Sequence, residues 1–130
     1  MVRPAEPRFG SAAFDRMLEL AANEADPAKT ASALVTLHKI VFIDVLPPEE
    51  LARVIEVART RMSSTQAPNV WQAAVELGVA TGDPQLRAMV AGIASGAARP
   101  AFFDREDLRL WVRNAAQKAL GGGGRQATEA

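Results

Sequence analysis

A chain of 130 residues, nearly half of them hydrophobic, is long enough for one packed domain and too apolar to remain disordered. Its 15 basic residues are balanced by 15 acidic ones, whereas dedicated nucleic-acid binders carry a basic excess. Cysteine is absent and histidine occurs once, which excludes a disulfide framework and a zinc site built from the usual ligands.

Residues 1–10, with Pro4, Pro7 and Gly10, read as an extended lead-in. Ser11 can cap a first helix over 11–24, whose inward face is Phe14, Met17, Leu18 and Ala21. Asp26-Pro27 opens a second helix over 27–44, because Asp is a favoured N-cap and proline's fixed φ suits the first helical position. Its apolar residues, Ala31, Leu34, Val35, Leu37, Ile40, Val41, Phe42 and Ile43, nearly encircle it, so it is expected to be the central, most buried element. A buried strand over Ile40 to Asp44 is the alternative. It lacks a second strand to pair with, and a lone strand is not stable.

Pro47-Pro48 ends that helix and starts a third over 48–62, with Leu51, Val54, Ile55, Ala58 and Met62 inward. Glu49, Arg53, Glu56 and Arg59 lie opposite, and Glu49–Arg53 is a favourably oriented i,i+4 pair worth ~0.3 kcal/mol. Ser63 to Gln66 form a loop. Pro68 or Asn69 then opens a fourth helix to Ala80, with Val70, Trp71, Ala74, Leu77 and Gly78 inward, stopped by Thr81-Gly82. Asp83-Pro84 repeats the Asp-Pro start for a fifth helix to Ser95, with Leu86, Met89, Val90 and Ile93 inward. After a break at Gly96 to Pro100, Asp104 caps a sixth helix over 105–120, with Phe103 stapled onto Leu108. Trp111, Val112, Ala115 and Ala119 continue its face. Gly121 suits the position after the helix, and 121–130 reads as a flexible Gly-rich tail, leaving 11–120 as a single helical domain.

The helices group into hairpins at 11–44, 48–80 and 84–120. The segment Gly82-Asp83-Pro84-Gln85-Leu86-Arg87-Ala88-Met89-Val90 resembles the opening of a HEAT repeat. Leu34 to Val45 followed by Pro47-Pro48-Glu49-Glu50-Leu51 resembles it more loosely, so the likeness covers about two helix pairs. It implies a short solenoid that serves as a scaffold for protein partners, with nucleic-acid binders among such proteins. The expected class is all-α: about six helices as stacked antiparallel hairpins, HEAT-like, or as an irregular helical bundle. No apolar run is long enough to span a bilayer and no charged-then-apolar leader opens the chain, so a cytoplasmic protein is expected.

Residues that could carry chemistry are few. His38 has no nucleophile elbow to serve, and Asp44 follows an apolar run near a helix C-terminus, where the macrodipole disfavours a carboxylate. Six positions apart on a helix, the two point about 120° away from each other. Arg105, Arg109 and Arg113 recur at four-residue steps and form a face that can meet phosphates or an acidic partner, although Glu106 and Asp107 interrupt it. Trp71 and Trp111 fit core-facing stripes; a partly exposed tryptophan would instead anchor an interface. Of the adjacent Phe102 and Phe103, one ring can staple the sixth helix and the other must point elsewhere. Gly121 to Gly124 with Arg125 follow a helix and lack Gly-Lys-Ser/Thr, so they are not a phosphate loop.

These residues assemble no catalytic, metal or cofactor constellation. The expected function is a non-catalytic protein–protein interaction module or adaptor, self-association included. Its candidate contact residues are Trp71, Phe102, Phe103, Trp111, Arg105, Arg109 and Arg113. A helical nucleic-acid binder using the arginine face is the alternative, and a small ligand-binding or enzymatic bundle around His38 and Asp44 is a third.

Overall fold

The computed structural model describes residues 11–43, 45–65, 67–97 and 109–122. They form six helices: α1 (Ser11–Asn23), α2 (Pro27–Ile43), α3 (Pro48–Ser64), α4 (Pro68–Thr81), α5 (Pro84–Ala94) and α6 (Arg109–Gly122). The fold is all-α, and the Ile40–Ile43 run is helical. Four of these helices begin on proline, where the missing N–H is one the helix would leave unbonded anyway. The Phe103 staple and the Asp104 cap lie outside the described residues. Gly121 is helical rather than the residue beyond the end, since α6 continues to Gly122.

Local chemistry explains the boundaries. The Asp83 carboxylate accepts from the Leu86 N–H at 3.0 Å and caps α5. Asp26 does the same for α2 through Ala28 N–H at 3.1 Å. At the end of α4, Gly82 takes φ 79°, a left-handed conformation that a side chain would strain, and its N–H bonds the Val79 carbonyl. Asp83→Ala is expected to lower the unfolding free energy by about 1 kcal/mol, and Asp83→Asn by much less. Chemical denaturation checks this; equal midpoints for Asp83→Ala and the parent would refute the cap.

Consecutive helices pair as α1 with α2, α3 with α4 and α5 with α6. The pairs then stack: α2 packs on α4, α4 on α6, and α1 on α3. Short connections between α1 and α2, and between α3 and α4, fold each hairpin back on itself. The central helix is α4, not α2. It packs against α2, α3, α5 and α6, whereas α2 has α1 and α4 as its main neighbours. Val70, Trp71, Ala73, Ala74, Val75, Leu77, Gly78 and Val79 are accordingly all buried. On α2, Val35, Phe42 and Ile43 remain exposed although its sequence is apolar nearly all round. An encircled helix needs neighbours on every side, and a helix at the end of a stack lacks them.

Gly78 marks the tightest approach in the core. A Cβ there would lie 3.3 Å from Met62 Sδ and 3.4 Å from Leu86 Cδ1, so its lack of a side chain lets α3 and α5 close on α4. On the surface, Arg53 reaches across to Asp15 of α1 at 3.0 Å rather than along its own helix to Glu49. Arg59 bonds Glu56 at 2.8 Å and Gln85 of α5 at 3.2 Å, tying α3 to α5. These are exposed pairs and contribute little.

Candidate functional site

Helices α2 and α6 both pack on α4 but make at most marginal contact with each other. Between them, over the C-terminal half of α4, lies an open groove of about 510 Å³. Val35, His38, Lys39 and Phe42 of α2 form one wall and Lys118 with Ala119 of α6 the other. Glu76 and Ala80 of α4 supply the floor. The methyl side chains of Ala80 and Ala119 keep it from filling.

Apolar surface continues out of the groove along the end of α2. Val35 is 41% exposed, Phe42 52%, Ile43 71% and Val45, in the following turn, 98%. The His38 ring meets the Phe42 ring edge-on, centroids 6.5 Å apart. Single exposed apolar residues are ordinary on a protein surface; here four of them fall on or just after one helix, beside a groove.

The charges around it are lopsided. Neither α2 nor α6 contains an acidic residue; α2 carries Lys29 and Lys39, and α6 carries Arg109, Arg113 and Lys118. Glu76 is the carboxylate at the floor, and it accepts from Gln72 at 3.4 Å. Lys39 and Lys118 are exposed, and neither has an ion-pair partner among the described residues. The described lining offers His38 no serine, threonine or cysteine to activate. No cluster of metal-ligating side chains occurs among the described residues.

Of the residues singled out by sequence, His38 lines the groove, while Trp71, Trp111 and Arg113 do not. Trp71 is 0% exposed, at the heart of α4, with its ring 5.9 Å from that of Trp111 and tilted 52°. It is therefore a core residue and not a surface anchor, because the four helices around α4 close over it. Trp111 is half-buried against the same core. Arg113 is exposed on α6, away from the groove lining. Arg109 starts α6 with its side chain outside the described set, and Phe102, Phe103, Arg105 and Asp44 lie outside the described residues altogether. Among the described residues, no helix is long and apolar enough to cross a membrane.

Sequence reasoning missed the groove because it placed Val35, Phe42 and Ile43 in the core. The signal was present nonetheless, in an α2 more apolar than a single buried face requires, with Lys39 set among those residues. No protein-family model, curated protein or solved structure matches the chain.

Proposed function

We propose that the chain is a non-catalytic, cytoplasmic protein-interaction module that docks a partner on the groove between α2 and α6. The observation that carries this reading is the continuity of the groove with the exposed Ile43 and Val45. Fully burying one such aliphatic side chain is worth about 1.5–3 kcal/mol, so a partner that covers this group gains substantially. A HEAT-like scaffold uses its surface in the same manner. The nucleic-acid reading fares worse, because the groove is largely apolar and the chain carries no basic excess, its 15 basic residues being balanced by 15 acidic ones.

Photo-crosslinking tests the proposal. A photoreactive residue at Val35 or Ile43 is expected to give discrete protein adducts in cells, whereas one at the exposed Arg16 on α1 gives none. Equal labelling from the two faces, no adduct from either, or adducts to nucleic acid would each defeat it. An adduct of twice the chain's mass would keep the module and make its partner a second copy.

A further inference from the structure

Resting on that reading of the groove, we infer that its occupant is an amphipathic helix flanked by acidic residues and supplied by a different protein. The shape comes first. Among the described residues the groove is a gap between two helices lying on a third, and packed helices stand about 8–10 Å apart, so its shape suits one more helix. Val35, Lys39 and Phe42 follow i, i+4, i+7 spacing along α2, a wall of roughly two turns. A helix docks on such a wall through large apolar residues at matching spacing, and the small side chains of Ala80 and Ala119 leave them room. A compact small molecule would fill the groove, Ile43 at its edge included, but leave Val45 in water.

Charge selects among helices. Lys39 and Lys118 stand on opposite walls, each without an ion-pair partner among the described residues, so acidic residues along both edges of the incoming helix would pair with them. The same charges disfavour a second copy. The large exposed hydrophobics among the described residues are Val35, Phe42, Ile43 and Val45, all on or beside α2, so a second copy would offer α2 itself. That helix has no acidic residue, and its Lys39 would approach Lys118 and the first Lys39. Like charges brought together across an interface oppose assembly.

The test uses the full chain and two labelled synthetic peptides of roughly 16 residues, long enough to hold helical structure on docking. Both carry leucines at i, i+4, i+7 and i+11; one has glutamates along the edges and the other lysines. In fluorescence anisotropy the glutamate peptide is expected to bind about tenfold more tightly, the preference shrinking as salt is raised. The double variant Lys39→Glu/Lys118→Glu, both positions being exposed, is expected to reverse the preference. Ala80→Leu, which fills the floor, is expected to weaken both peptides, with thermal melts confirming that each variant folds. Equal affinity for the two peptides would overturn the charge inference while leaving the groove as a docking site. Binding of neither peptide, with vesicles containing an anionic lipid bound instead, would replace the helix with a lipid surface. Binding of neither peptide together with concentration-dependent dimerisation would replace it with a second copy. Absence of any binding would overturn the inference outright, and crosslinking at Val35 would decide separately whether the groove docks a protein at all.

Discussion

Trp71→Ala is expected to lower the unfolding free energy by about 3–5 kcal/mol, the usual cost of truncating a buried large aromatic. Trp71 is 0% exposed and belongs to the helix that four others contact, so the void left behind has no free edge from which to collapse. Its ring also pairs with Trp111 at 5.9 Å, and such pairs are worth ~0.5–1.5 kcal/mol beyond their buried area. Domains have only about 5–15 kcal/mol in total, so the variant is expected to be folded marginally or not at all. Urea denaturation followed by circular dichroism measures the loss. Trp71→Phe keeps most of the volume and is expected to lose less than half as much. A loss below 1 kcal/mol for Trp71→Ala would mean that α4 is not the centre of the core.

The second large effect is expected at a charged residue. Arg61 of α3 donates from Nε to the Ala21 carbonyl at 2.6 Å and from Nη2 to the Glu24 carbonyl at 2.9 Å. These carbonyls lie at the C-terminal end of α1, where no further turn supplies N–H partners. The buried Thr30 hydroxyl shares its one proton between the Glu24 carbonyl at 3.0 Å and that of Asp26 at 3.1 Å, completing the closure of the α1–α2 turn. Bonds from a charged donor contribute about 1.5–3 kcal/mol, and partial exposure puts Arg61 at the low end. Arg61→Met, which keeps the apolar stem, is therefore expected to cost about 2 kcal/mol. Arg61→Lys should recover only part, since an ammonium cannot reproduce the planar fork. Burial pushes the guanidinium below its usual pKa and nearby Glu24 pulls it back up; it stays charged, so the loss is expected to be the same across the physiological pH range. Hydrogen exchange supplies the specific readout: faster exchange near the end of α1 in Arg61→Met. Unchanged exchange there would show that Arg61 does not hold that end.

Much of this was legible from residues alone. Asp83-Pro84 announces a cap and a first helical position through the chemistry of two side chains, and α5 starts there. Val70, Trp71, Ala74, Leu77 and Gly78 share a face at helical spacing, and all five are buried. Arg61 was not legible, because its acceptors are backbone carbonyls 40 and 37 positions away, and an arginine on a polar face reads as solvated. The groove escaped for a related reason. Val35, Phe42 and Ile43 look like core in any one-dimensional pattern, and so do the buried Val75 and Val79 of α4.

By itself, then, the order of side chains determined where α2, α3, α4 and α5 begin and which faces of the helices repel water. These follow from capping, φ restriction and periodicity, all of them interactions within a few positions of one another. Only the packing of the helices decided which apolar faces were covered. That depends on how many neighbours each helix acquires: α4 has four and buries nearly everything, while α2 stands at an end of its layer and leaves a greasy, lysine-edged face in water.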